Sequence, residues 1–244
     1  HCLRHIGEDL NQAFSVFSDL ANSEYYKDDK IRIRSIYSAA SIKMFQGDIN
    51  YNYERAFEEI EEIICCDPKN DIWKPYVTRH KAIYEYKMCN NFHNAERILK
   101  QAIKSLEVTP LRIKYDIYFE LGEIYRMYDR NTANYDRSLD FYLEAAQFAT
   151  RVHDYNLQSS SQLGMMLLNI KYGQDIDADL LRTIITNTHK IDLIINYNYS
   201  LYVKYIVANE PIPKELLTYW EQMQYSDLLL FSSKSKSDIK LTVM

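Results

Sequence analysis

The chain has 244 residues, 47% apolar and 26% charged, a composition that fits a folded soluble protein and excludes wholesale disorder. Its net charge of -5 supplies no global attraction to nucleic acid or to an anionic membrane surface. Glycine and proline number five each, which argues against many short strands and hairpins and for long helices with short connections.

Taken in chain order, the apolar pattern is helical throughout. The first segment, QAFSVFSDL, places Ala13, Phe17 and Leu20 at i, i+4 and i+7, one face of a helix. A second helix is predicted over Lys30–Phe45 and ends at QGDINYN. The first triple then recurs as Ala56, Ile60 and Ile63, closed by CCDPKND with Pro68. Ile72–Met88 follows, then MCNNF and the triple Ala95, Leu99 and Ala102, then EVTP with Pro110. Next come Leu111–Tyr128, DRNTAN and the triple Ser138, Tyr142 and Ala145. Asn156–Tyr172 and KYGQDID lead to a weaker copy, Leu181, Ile185 and Thr188. Asp192–Ala208, NEPIP and Lys214–Phe231 complete the helices, and residues 232–244 are expected to form a mobile tail. The first members of the five triples are 43, 39, 43 and 43 residues apart, a recurrence that unrelated helices would not produce.

These segments resemble the tetratricopeptide repeat family, whose pattern is W-x2-L-G-x2-Y, later A-x3-F, then P. YFELGEIY supplies Tyr118, Leu121, Gly122 and Tyr125, and SSQLGMML repeats Leu163-Gly164 with Leu167 in place of the tyrosine. FHNAERILKQA gives Phe92, Ala95, Leu99 and Ala102, and YERAFEEIEEIICCDP gives Tyr53, Ala56, Ile60, Ile63 and Pro68. The match covers about residues 7 to 190, with a period longer than the family's ~34 residues. It looks like the long-repeat relatives found in regulatory and sensor proteins.

The resemblance implies an all-α, right-handed superhelical solenoid of antiparallel helix pairs, filling a single domain over residues 1–231. An interior helical glycine costs roughly 1 kcal/mol against alanine. Gly122 and Gly164 are therefore expected where the first helix of a pair crosses its partner closely, with Ala40 and Ile83 near that place in other repeats. Ala13, Phe17 and Leu20 carry the second-helix pattern with about six residues before their helix, so a missing first helix and a longer parent protein are expected; a capping helix is the alternative.

Chemistry is sparse. No phosphate-cradling glycine loop, H-E-x-x-H or G-x-S-x-G occurs, and the six histidines share no ligand spacing, so no metal and no cofactor is expected. Cys2, Cys65, Cys66 and Cys89 form no C-x-x-C pair and suit reduced thiols in the cytoplasm. The longest apolar runs fall far short of a bilayer span. Glu58, Glu59, Glu61 and Glu62 border the Ile60, Ile63, Ile64 stripe and are expected to form a solvated face. The abundant tyrosines, among them Tyr53, Tyr86, Tyr125, Tyr135 and Tyr142, are expected to pack between helices with their hydroxyls at the surface. Arg182 and His189 resemble the Arg–His spacing of a helical ribonuclease family, but Thr183 stands where that family has asparagine, aspartate or histidine.

In the family resembled, first helices line the concave surface and ligand contacts surround the L-G pair. Transferred by register, these positions are His80, Lys81, Tyr84 and Lys87; then Phe119, Glu120, Glu123 and Arg126; then Gln158, Gln162 and Met165. Their mixture of cations, aromatics and carboxylates suits a protein or peptide ligand. The expected function is non-catalytic recognition within a larger regulatory or sensor protein, with no nucleic acid or membrane partner. A pheromone-responsive regulator, the sensor of a signalling ATPase, an architectural spacer and the ribonuclease are the alternatives.

Overall fold

The computed structural model describes residues 10–23, 25, 28–105, 111–127, 132–191 and 193–222. Every regular element among them is helical. In chain order they are α1 (Leu10–Asn22), α2 (Asp29–Phe45), α3 (Tyr53–Cys66), a 3-10 segment (Pro68–Trp73), α4 (Lys74–Lys87), α5 (Phe92–Ser105) and α6 (Leu111–Met127). There follow α7 (Thr132–Arg151), α8 (Tyr155–Tyr172), α9 (Ala178–Lys190), α10 (Ile194–Val207) and α11 (Lys214–Gln222). The predicted helices lie within a few residues of these bounds. The expected tail, 232–244, and the last part of the helix expected to reach Phe231 lie outside the described residues.

Local chemistry explains where the helices start. The side chains of Asp28, Asn52, Asp154 and Asp177 accept hydrogen bonds from backbone N–H groups of the first turns of α2, α3, α8 and α9. Such caps satisfy donors that no helical carbonyl reaches, each contributing about 1 kcal/mol. Asp67 caps the 3-10 segment in the same way, with Pro68 pre-set at its first position. α8 ends where Gly173 adopts φ 68°, a left-handed conformation that glycine accepts without strain.

The chain groups into two compact units divided within α6, after Ile117. In the first unit each helix packs on the next from α1 to α5, and α2 also touches α4. Ile33, Ile36 and Ala40 of α2 meet Tyr53, Phe57, Ile60 and Ile64 of α3 and Val77 of α4 in one apolar cluster. Glu58, Glu61 and Glu62 point outward, as the stripe requires. In the second unit α7 packs on α8, α8 on α9 and α9 on α10, and α8 also touches α10. No helix among the described residues is long and apolar enough to cross a membrane.

The two helical glycines meet one ring. A Cβ on Gly122 of α6 would lie 2.7 Å from Tyr142 Cδ1, and one on Gly164 of α8 would lie 2.6 Å from its Cε1 and Cζ. Tyr142 of α7 is fully buried, clasped between backbone surfaces that only glycine leaves open. Ser138, one turn earlier on α7, donates a hydrogen bond to the Gly122 carbonyl at 2.8 Å. The close approach is thus a tyrosine ring lying against both glycines. Contrary to the expectation of a surface hydroxyl, Tyr142 turns its oxygen inward.

Candidate functional site

The predicted ligand residues divide into three groups. In the first unit, His80 of α4 is buried and faces α2. Its ring lies 3.8 Å, centroid to centroid, from the Tyr37 ring, and its Nε2 is 2.7 Å from Ser41 Oγ. Ser41 Oγ lies equally close, 2.7 Å, to the Tyr37 carbonyl, so its hydroxyl links that carbonyl and the imidazole, the direction of the Ser41–His80 bond following the ring tautomer. His80 Nδ1 is buried with no hydrogen-bond partner. Burial, then the neighbouring Arg79 charge, hold the His80 pKa well below the usual imidazole value, and the Tyr76 carbonyl opposes this only in part.

The neighbouring positions do different things. Lys81 turns toward α3, where its Nζ meets Glu61 at 2.6 Å and lies 6.0 Å from the Phe57 ring, so it leaves the His80 face. Tyr84 is half-buried against Tyr53 and Phe57, at 4.9 and 6.2 Å. A hydrogen bond with Cys89, then burial, push its pKa up to about 12. Lys87 is exposed.

Next to His80 lie residues that the sequence register did not select. Arg34 of α2 holds its guanidinium 5.2 Å from the centroid of the Trp73 ring, and Trp73 packs at 5.6 Å on Tyr76. Trp73 Nε1 is buried with no hydrogen-bond acceptor. Arg34, Tyr37 and Ser41 form one stripe on α2, and Trp73, Tyr76 and His80 form the facing stripe at α4. Ser41 and His80 are 39 residues apart, one of the repeat spacings, as are Arg34 and Trp73. Carrying that spacing back from His80 would have revealed the α2 row.

In the second unit, Phe119 is half-buried with its ring 5.9 Å from Tyr142, and Glu120 is buried. Glu123 and Arg126 were expected on an open ligand face, but they lie inside the unit. Arg126 grips Glu123 with two hydrogen bonds, Nη2 to Oε2 at 2.6 Å and Nε to Oε1 at 3.2 Å. Tyr142 Oη donates to Glu123 Oε1 and accepts from Arg126 Nε at 3.3 Å. The ammonium of Lys171 donates to the Arg126 carbonyl. Burial works against the Arg126 charge, but the Glu123 carboxylate outweighs it and holds the pKa well above the ordinary arginine value. Burial and the Glu123 charge push the Tyr142 hydroxyl far above the usual tyrosine range. The positive and negative charges are matched to each other, which is the physical reason that they tolerate burial.

In the third group, Gln158, Gln162 and Met165 are half-buried on α8. Beside them Asn196 of α10 bridges to α8, its amide donating to Ser159 Oγ at 2.7 Å and to the Asn156 side chain at 3.1 Å. Arg182 is exposed and paired with Asp179 at 2.8 Å, while His189 sets its ring against Tyr197 at 5.0 Å. Two helical turns, about 10 Å, separate the Arg182 and His189 backbones. No group of three metal-ligating side chains occurs among the described residues. No family model, curated protein or solved structure matches this chain.

Proposed function

We propose that the chain is a long-repeat, TPR-like array, a right-handed superhelical solenoid whose first helices bind a protein or peptide without catalysis. Its setting is a larger cytoplasmic regulatory or sensor protein. The meeting of α2 with α4 at His80, which contacts Ser41 at a spacing of 39 residues and Tyr37 at 43, both repeat spacings, is the observation that supports this most strongly. First helices of successive hairpins touch in this way when hairpins stack, and the row they form is the surface that such arrays offer to ligands. α8 and α10 touch similarly in the second unit. Half-buried aromatics with an exposed cation, Tyr84 and Lys87, suit a peptide with apolar and charged anchors.

Selection of a displayed random-peptide library on the full chain tests this. Peptides should be enriched over the bare matrix, and their affinity should fall in a Tyr84→Ala, Lys87→Ala double variant. Absence of any enriched peptide would refute the binding-module reading.

A further inference from the structure

Charge is segregated within the first unit of this acidic chain. α2 and α4 each carry four cations against one acid, whereas the intervening α3 carries five glutamates against one arginine. Several of the cations are matched locally. Arg32 and Lys81 reach Glu59 and Glu61 of α3, Lys43 reaches Asp48, and Lys74 reaches Asp71. Arg34 differs: it is exposed and lies over the Trp73 indole rather than on a carboxylate.

The same seam holds two polar atoms that lack partners. Trp73 Nε1 is a donor without an acceptor, and His80 Nδ1 is a ring nitrogen without a partner. An unmade hydrogen bond at a buried group is unfavourable, so each marks a place where a ligand atom gains what water cannot supply. Seven positions separate Trp73 from His80, two helical turns or about 10 Å. An extended peptide rises about 3.3 Å per residue, so roughly three residues span that distance.

We propose that the seam between α2 and α4 takes a short acidic peptide segment in extended conformation. Its main chain meets Trp73 Nε1–H through a carbonyl and runs on to His80 Nδ1, and a carboxylate pairs with Arg34. The proposal rests on the binding-module reading and names the chemistry of its ligand. Arg34 and Tyr37 lie over the indole and the imidazole, one exposed and the other half-buried, so both swing aside as the segment enters. A nucleic acid backbone fits less well, because the chain's net charge of -5 gives it no general attraction to phosphates.

The test sequences the library peptides retained by the full chain and titrates a fluorescent copy of the most enriched one, with a labelled oligothymidine in parallel. Aspartate and glutamate should be enriched. Arg34→Glu should weaken the peptide by about tenfold or more, and Trp73→Phe, which removes the donor along with the pyrrole ring, by about fivefold. Both variants should keep the wild-type melting curve. Neutral or basic peptides, or acidic ones indifferent to both substitutions, would overturn this proposal and leave the binding-module reading standing. Enrichment of no peptide would remove that reading itself. Oligothymidine binding that depends on Arg34 and Trp73 would replace the acidic peptide with a nucleic acid.

Discussion

One buried polar cluster in each unit is built in the opposite way to the other. The cluster of the second unit is closed internally: Glu123, Arg126 and Tyr142 satisfy one another, and two glycines fit the backbone to the Tyr142 ring. The first leaves Trp73 Nε1 and His80 Nδ1 without partners and keeps Arg34 at the surface. A saturated cluster rigidifies; an unsaturated one has affinity to give. On the proposed reading, recognition chemistry belongs to α2 and α4 and structural chemistry to α6, α7 and α8, although the repeat pattern treats these helices as equivalents.

The largest effect is expected where the second unit is opened. Arg126→Leu leaves the Glu123 carboxylate buried without its cation, a loss of about 3–5 kcal/mol. Urea denaturation should show it. The double variant Glu123→Leu, Arg126→Leu should recover much of that loss, because an apolar pair carries no desolvation penalty. A single variant as stable as wild type would mean that the cluster is open to water and that the contrast between the units is false.

Gly164→Ala comes next. Its Cβ would meet Tyr142 Cε1 and Cζ at 2.6 Å, and the ring is held on its other side by Gly122. Overpacking of about 1–3 kcal/mol exceeds or offsets the roughly 1 kcal/mol that alanine adds to helix propensity. In a Tyr142→Ala background the same substitution should become neutral or stabilising, since the ring it strikes is gone. Equal effects in both backgrounds would remove Tyr142 as the reason for the glycine.

His80 gives the first unit a dependence on pH. Its folded-state pKa is lowered, so the unfolded chain binds the proton first as pH falls below the unperturbed value of about 6.5. Stability therefore declines as pH falls below about 6.5, with a slope of at most ~1.4 kcal/mol per pH unit, and the decline ends at the lower folded pKa. The groups around the ring, Tyr37 and Ser41 on α2 with Arg79 on α4, include no carboxylate to offset the new charge. Melts between pH 5 and 6.5 should show a flatter profile for His80→Gln than for wild type, over a window set by about one unit either side of the ordinary imidazole value. Parallel profiles would show that another group carries the dependence.

Much of the fold was legible because its causes are local. Apolar spacing marked the helix faces, and Asp28, Asn52, Asp154 and Asp177 stand where caps belong. Gly122 and Gly164 signalled a close approach, but spacing names a face and not the side chain that fills it, so Tyr142 went unnamed. Glu123 and Arg126, three apart on one helix, have the look of a solvated pair. Only the Tyr142 hydroxyl arriving from α7 shows that they are inside. Trp73 escaped notice because the register was anchored on the L-G pair, while Trp73 ends the 3-10 segment that leads into α4.

The smallest effect sharpens the comparison most directly. Lys81 and Arg126 were both assigned to the ligand face, and both form short ion pairs, with Glu61 and Glu123 respectively. Lys81 and Glu61 retain 33% and 51% side-chain exposure, against 4% and 11% for Arg126 and Glu123. Water already solvates the first pair, so its Coulomb attraction is screened and the entropy of ordering two long side chains nearly cancels it. Lys81→Ala should therefore change stability by no more than about 0.5 kcal/mol. Because the ammonium points toward α3, the affinity of a peptide held by Arg34 and Trp73 should also stay within about twofold, well under the ~1.4 kcal/mol that makes a factor of ten. A loss of binding comparable to that of Arg34→Glu would bring Lys81 back to the seam and widen the recognition surface beyond the α2 and α4 stripes.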